Sequence, residues 1–497
     1  MADQLAAGAL PAYGHPVAHA PTLSALAERG AVFESAYCAS PLCAPSRSAL
    51  LAGRRPSRIG VHDNAAELPA SVPTLAHLLR AAGYATTLSG KMHFVGPDQL
   101  HGFERRLTTD VYPADFEWTP DWRMPADRRL PWYHNMRGLR ATAVLEAAMQ
   151  TDYDDEACFR AVQALRDHAR GAEPRPFFLV ASFTNPHDPW EVRARHWNLY
   201  DGREVPPPRV AAIPRERADR HSIRLREMIE ADSDPLTAEQ TAAARRGYLA
   251  AISYVDELVG ELLRVLWDTG HGEDTLVLFT SDHGEMLGER GLWYKMSFFE
   301  GSVRVPLLVA GPDVAAGRRI EGCVSQLDLL PTLAELCCAG VDGWDLDGRS
   351  LASALGGGQF EPAAVVSEYL AEGVSEPALM LRDGALKLIR CAGDPDQLYD
   401  LASDPLELSN LAADPAHAEA LRRLTAAADA SWDAAAVRDQ VLAGQARRRH
   451  VWRALSTGAF TPWDHQAWSD SSLQFVRGGA AGHPRPWQAR PPGNLPE

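Results

Sequence analysis

Cys43-Ala44-Pro45-Ser46-Arg47 sets a thiol four residues ahead of a guanidinium, in a segment closed by Gly53. Left as a thiol, Cys43 reads as a small buried hydrophobe; chemically modified, it becomes a candidate nucleophile. A second group is scattered along the chain. The apolar run 276–279 leads into Ser281-Asp282-His283-Gly284-Glu285, and Asp3 and Gln4 stand near the start. Taken alone, an Asp-His pair after a strand is as readily a turn as a pair of ligands. Carboxylates and amides are oxygen donors that suit a hard divalent cation such as Ca2+ or Mg2+. The imidazole in the set also admits Mn2+.

Lysine usage singles out further positions. Of 49 basic residues, only Lys91, Lys295 and Lys387 are lysines. A chain that favours arginine this strongly keeps lysine where a compact, titratable ammonium is needed. Lys91-Met92-His93 follows an expected strand over 86–90. Alternate residues of an extended chain share a face, which puts Lys91 beside His93. His187 sits in Asn185-Pro186-His187-Asp188-Pro189, a turn too polar for core packing. Lys387 has no such neighbours and is read as structural.

Positioning these groups requires a sizeable scaffold. Residues 177–180, 276–279 and 305–309 are short apolar runs bounded by turn signals, expected as buried parallel strands. Ile252, Val255, Val259, Leu262, Leu263 and Leu266 recur at helical spacing up to Gly270, and helices are also expected over 74–82 and 329–336. Strands alternating with helices imply an α/β fold, a mostly parallel sheet covered on both faces. Ligands of such sheets bind beyond the carboxyl ends of strands. That rule brings Asp282, His283 and the His187 turn to one rim.

Composition sets the bounds. At 497 residues the chain can bury one large α/β domain and a smaller one. A formal charge of -16 argues against a general nucleic-acid binder. No run approaches the roughly 20 apolar residues that span a bilayer, and the first residues lack the basic and apolar regions of an export signal. Seven cysteines, an odd number with no CxxC pair, form neither a disulfide framework nor a zinc site. The reading is a reduced, cytoplasmic protein.

The cysteine segment resembles the signature of type I sulfatases. The resemblance implies an alkaline-phosphatase-like fold, with a large sheet between helices and a small C-terminal antiparallel subdomain. It implies that Cys43 is oxidised to formylglycine (3-oxoalanine) by a formylglycine-generating enzyme. It also implies one divalent cation held by Asp3, Gln4, Cys43, Asp282 and His283. Ca2+ is expected, with Mn2+ and Mg2+ as alternatives. Cleaving a sulfate monoester needs an in-line nucleophile, positive charge around the non-bridging oxygens and an acid for the leaving alkoxide. By resemblance, hydrated Cys43 attacks sulfur while Arg47 holds the diol and Lys91 and His93 contact the sulfate. His93 then removes the remaining diol proton, so that the aldehyde returns and sulfate leaves. His187 and Lys295 bind the bridging oxygen and protonate the leaving group, and Asn64 lies near the same oxygens.

Longer blocks are similar to the choline-sulfatase group of that family: 91–104, 107–122, 132–136, 286–300 and the tail around 459–468. This implies hydrolysis of choline-O-sulfate, a small-molecule partner, with neither nucleic acid nor membrane involved. A trimethylammonium head donates no hydrogen bonds, so aromatic faces and a carboxylate must recognise it. Trp118 and His134 resemble the group's choline contacts, with Glu372 as the acidic partner and Glu368 as the alternative. Read without the resemblance, Trp118 is a loop anchor near Asp115 and Pro120. Two other functions are weighed: a phosphonate monoester or phosphodiester hydrolase of the same superfamily, and an inactive quaternary-ammonium binder.

The expected organisation is a catalytic domain over 1–360, an α+β subdomain over 361–446 and an extension over 447–497. Trp463, Trp468 and Trp487 in the extension are expected to dock at the interface of a homodimer or homotetramer. The family normally has an apolar strand before its first metal-binding acid, where Met1 stands here. The expectation is therefore about ten further residues, one short strand, in the natural chain. Without them, Asp3 is expected to be weakly anchored.

Overall fold

The computed structural model describes residues 1–125, 133–172, 174–341, 343–374 and 376–459. Trp132, Trp463, Trp468, Trp487 and the extension from 460 onward lie outside them. In chain order the principal strands are β1 (Ala31–Tyr37), β2 (Ala85–Gly90), β3 (Arg105–Arg106), β4 (Phe177–Ser182), β5 (Val277–Thr280), β6 (Arg304–Val305), β7 (Leu307–Ala310), β8 (Arg318–Ser325), β9 (Val365–Tyr369), β10 (Ala378–Asp383), β11 (Leu386–Cys391) and β12 (Gln397–Asp400).

The expected α/β alternation is realised in two adjoining sheets. One runs β3-β2-β4 and is parallel throughout. The other runs β8-β1-β7-β5, with β6 on β1, and is mixed: β1 and β8 are parallel, while β7 lies antiparallel to both β1 and β5. The run 305–309, expected as one parallel strand, is therefore two short antiparallel ones. Pro306 divides them, because it cannot donate to a ladder.

Residues 1–3 join the two sheets at the carboxyl ends of β4 and β5. Phe183 N donates to Met1 O at 3.0 Å and Ala2 N to Thr280 O at 3.0 Å, and Ala2 bridges Ser281 in parallel register. Asp3 is fully buried. The expectation of a weakly anchored Asp3 is corrected: both sheet edges brace its backbone. Beneath this bridge β4 and β5 face one another across an apolar cavity of about 630 Å³, lined by Leu51, Leu79, Phe177, Leu179, Leu278 and Leu333 among others.

The helices that matter to the site are α1 (Cys43–Ala52), α2 (Leu75–Ala81), α3 (Met149–Asp167), α4 (Ala238–Asp268), α5 (Leu329–Leu336) and α6 (Ala434–Leu455). The apolar stripe of α4 is the one expected, with Ile252, Val255, Val259 and Leu266 buried. Thr237 caps α4 and Thr74 caps α2, each by accepting a backbone N–H of the first turn.

A third sheet, β9-β10-β11-β12, is antiparallel throughout. It is the small C-terminal sheet expected. Lys387 of β11 fastens it to the larger part. Its ammonium contacts Glu300 at 2.7 Å and Glu407 at 2.8 Å and donates to Phe298 O at 2.9 Å. All three lysines are buried, Lys91 and Lys387 at 0% and Lys295 at 1% exposure. None of the cysteines is in a disulfide. Among the described residues, no helix is long and apolar enough to cross a membrane.

Candidate active site

Cys43 is the first residue of α1, after Leu42 in extended conformation, and the whole helix is buried. A helix start leaves backbone N–H groups unpaired and carries partial positive charge. One of them, Ala44 N, donates to Asn64 Oδ1 at 3.0 Å, which fixes Asn64 beside Cys43. Arg47 lies one turn further on. Its Nε donates to Asp282 Oδ2 at 2.8 Å, and its Nη1 to Lys91 O at 2.7 Å and Ser182 Oγ at 2.9 Å. This one guanidinium ties α1 to the carboxyl ends of β5, β2 and β4, the rim predicted from strand order.

Asp3, Cys43, Asp282 and His283 converge behind that rim, all buried, with one ligand atom from each within 4.8 Å of the others. His283 Nδ1 lies 3.0 Å from Gly284 O and its Nε2 lies 3.2 Å from Cys43 Sγ. A proton on Nδ1 shared with that carbonyl leaves the Nε2 lone pair facing the cluster. Burial holds His283 below the ordinary imidazole range, so it is neutral. Burial opposes ionisation of Asp282, but Arg47 above all, with Lys91, outweighs it and holds the carboxyl far below its usual range. Burial and Asp282 push Asp3 up, yet Lys91, His187 and Arg47 leave it below normal. Two ionised carboxylates and a neutral imidazole fit a divalent cation. Gln4, expected among the ligands, turns its amide to two neighbours. Its Oε1 accepts from Lys295 Nζ at 2.6 Å and its Nε2 donates to Glu285 Oε2 at 2.5 Å.

Lys91 and His93 converge, though not by strand alternation. Lys91 Nζ contacts Asp3 Oδ2 and stands 4.2 Å from the centroid of the Tyr112 ring. His93 stacks on that ring at 4.4 Å. The backbone has left the extended state, with His93 at φ 58°. Asp110 Oδ2 holds the turn by accepting Met92 N at 3.0 Å and His93 N at 2.7 Å, and Arg106 Nη2 donates to the same oxygen at 2.8 Å. Gly90, at φ 102°, begins the turn; a Cβ there would lie 1.9 Å from Ser182 O. Burial keeps His93 below the usual imidazole range. Opposite, Lys295 Nζ lies 2.8 Å from His187 Nε2, and His187 Nδ1 lies 2.9 Å from Asp188 Oδ1.

A cavity of about 230 Å³ opens in front of Cys43, lined by Asn64, Trp118, His134, His187, Lys295 and Glu372 among others. Trp118 meets Tyr112 edge-on at 5.3 Å, and His134 stacks on Tyr294 at 4.3 Å. Glu372 is 5% exposed, and burial followed by Asp63 pushes its carboxyl up to about 8. The alternative carboxylate, Glu368, is elsewhere: it accepts from Ser57 N and Ser57 Oγ, each at 2.9 Å. Sequence reading missed Asp110, Tyr112 and Glu285. Tyr112 and Asp110 had one usable signal, their place inside a block already marked as distinctive. Glu285 had only its position two residues after His283.

The Sulfatase family model matches residues 1–339. The model described as N-sulphoglucosamine sulphohydrolase, C-terminal, matches 288–431, and that described as Choline sulfatase enzyme C terminal matches 439–480. A choline-sulfatase of Rhizobium meliloti (strain 1021) is 48% identical over 487 residues, covering 96% of this chain and 94% of that protein. Arylsulfatase K of Xenopus laevis is 30% identical, over 77% of this chain and 72% of its own. Among solved structures, a phosphonate monoester hydrolase of Agrobacterium radiobacter superposes with a TM-score of 0.70 at 26% identity, covering 90% of this chain and 94% of that one.

Proposed function

The chain belongs to the sulfatase family, and from that premise we propose that it hydrolyses choline-O-sulfate to choline and inorganic sulfate. Glu372 carries the choice of ester. Its carboxyl is buried, stands in no ion pair among the described residues and shares a small cavity with Trp118 and His134. A buried carboxyl resists ionisation until a counter-charge arrives. A trimethylammonium group supplies that charge without needing a hydrogen-bond acceptor, and an aromatic face completes its recognition.

In this reading Cys43, matured to formylglycine by a generating enzyme, is the nucleophile; its thiol sulfur stands in for the oxygen of the hydrated aldehyde. Asp3, Asp282 and His283, with the modified Cys43, would hold one divalent cation, Ca2+ being expected and Mg2+ or Mn2+ the alternatives. When bound, the ion acts as a Lewis acid toward the sulfate. Arg47 keeps Asp282 ionised and orients the head of α1. Lys91 offsets charge on the sulfate oxygens, and Asn64 presents amide donors to them. His93, neutral through burial, accepts a proton as sulfate departs. Lys295 and His187, with Asp188 on the far imidazole nitrogen, supply the proton that the departing choline oxygen needs. An aliphatic alkoxide is a poor leaving group, so this proton matters more than for an aryl ester. The division at 360 and 446, a cytoplasmic location and a homodimer or homotetramer built through the C-terminal extension belong to the same proposal.

The test uses full-length protein with aldehyde at position 43 verified by peptide mass spectrometry and a divalent ion supplied. Choline-O-sulfate should exceed a phosphonate monoester by at least about 100-fold in kcat/KM. Preference for the phosphonate would reassign the chain to the phosphonate-hydrolase reading. Choline-sulfate binding without turnover would make it a binder.

A further inference from the structure

Helix α6 lies far from Cys43 in sequence, yet it reaches the turns that carry the front wall of the cavity. Arg448, on α6, grips Asp63 with both ends of its fork, Nη1 to Oδ1 at 2.5 Å and Nη2 to Oδ2 at 2.7 Å. Asp63 is fully buried and Arg448 is 9% exposed. Asp63 Oδ1 also accepts Ala65 N at 3.0 Å, so the ion pair closes the turn around Asn64. One turn earlier on α6, Gln445 Oε1 accepts Trp122 N at 2.9 Å. The Trp122 indole N–H then donates to Ala371 O at 2.8 Å, the residue before Glu372. Arg448 Nη1 also approaches Thr119 Oγ1 at 3.4 Å, next to Trp118.

We infer that α6 is the positioning element of the cavity's front wall: Gln445 sets, through Trp122, the turn bearing Glu372, and Arg448 sets the turns bearing Trp118 and Asn64, the last of which meets the sulfate. The inference rests on the proposed substrate, because the wall is defined by the quaternary ammonium it faces. Neither residue lines the cavity beside Cys43; they act through others. The guanidinium has a second effect. Asp63 is the charge that, after burial, most suppresses ionisation of Glu372, and Arg448 neutralises Asp63 at hydrogen-bonding distance. A bidentate pair resists substitution by lysine, which offers a point charge without the planar fork. Arg47 and Asp282 tie the nucleophile's helix to the cation cluster, and Ala44 N ties it to Asn64. Loss of the Gln445–Trp122 contacts should therefore fall on recognition of the ammonium, while loss of Arg448 also loosens Asn64 and falls in smaller part on the chemistry at sulfur.

The experiment compares wild type, Arg448→Met, Arg448→Lys and Trp122→Phe on choline-O-sulfate and 4-nitrophenyl sulfate, with near-UV circular dichroism as the check on folding. Arg448→Met should lower kcat/KM on choline-O-sulfate by at least about tenfold more than on the aryl ester, where the loosened Asn64 leaves a smaller loss. Arg448→Lys should recover part of that loss. Trp122→Phe, which keeps one aromatic ring but loses the indole N–H and the second ring, should raise the choline-sulfate KM alone, by several-fold. If folded variants lose both substrates in equal proportion, or lose neither, the inference is wrong while the substrate reading stands. A wild-type enzyme indifferent to the ammonium group overturns the substrate reading, and the wall's role falls with it.

Discussion

Replacing Glu372 by glutamine keeps the shape of the cavity wall and removes only its capacity for charge. At about 5 Å, in a medium of effective dielectric near 20, a carboxylate and a quaternary ammonium attract by ~3 kcal/mol. In the empty cavity the Glu372 carboxyl is pushed up to about 8, so near neutral pH it must first release a proton, at a cost of ~1.4 kcal/mol per pH unit below that value. The difference, ~2 kcal/mol at about pH 7, predicts a ~30-fold loss of kcat/KM on choline-O-sulfate in Glu372→Gln. Near pH 9 the carboxyl is already ionised, and the predicted loss grows to ~200-fold. The substrate's ammonium carries no titratable proton, so the trend belongs to the enzyme. The assay takes the ratio of kcat/KM on choline-O-sulfate to that on 4-nitrophenyl sulfate at both pH values, which cancels the shared pH dependence of the machinery at sulfur. A loss equal for both esters, or one that shrinks as pH rises, would refute the reasoning.

Other outcomes follow from the same geometry. In the ligand-free protein Glu372 binds its proton more tightly folded than unfolded, so stability should fall as pH rises from its ordinary 4.5 to about 8; differential scanning calorimetry should show this slope reduced in Glu372→Gln and relieved by added choline. Cys43→Ala should abolish turnover of every ester, by at least about 1000-fold, with little change in melting temperature, since a small buried side chain is exchanged for another. Chelation should remove activity and also lower the melting temperature, by the equivalent of ~2.7 kcal/mol if the ion is normally present at about 100 times its Kd; re-addition of Ca2+, Mg2+ and Mn2+ in turn identifies the one that restores both. Lys387→Met should cost ~3–5 kcal/mol in urea denaturation, because Glu407 is left buried without a counter-charge and Glu300 keeps only its arginine partner Arg382, while kcat of the folded fraction is unchanged.

Much of this molecule was readable before any coordinates. The α4 stripe and the polar residues after β4 and β5 follow from apolar periodicity and from the rule that ligands gather at strand ends. The Cys43 segment, with Lys91, His187, Lys295 and the Asp282-His283 pair, then needs only that rim to meet. What escaped depends on single backbone events or on distant pairing. Pro306 splits one apolar run into two antiparallel strands, and hydropathy alone does not reveal the break. His93 reaches Lys91 through a left-handed turn held by Asp110, where strand alternation gave the right neighbours for the wrong reason. Gln4 has the donor type of a ligand, but Lys295 and Glu285 claim its amide first. The Arg448–Asp63 pair joins residues 385 positions apart, a separation at which no local pattern carries information.

The lysine placement has a practical consequence. With all three ε-amino groups enclosed, side-chain acylating reagents, biotin esters and aldehyde crosslinkers find no lysine on the native surface. Covalent labelling of those side chains therefore reports opening of the interior, residue by residue. Immobilising the enzyme through lysine would require it to come apart first, so a tether must be built through another side chain.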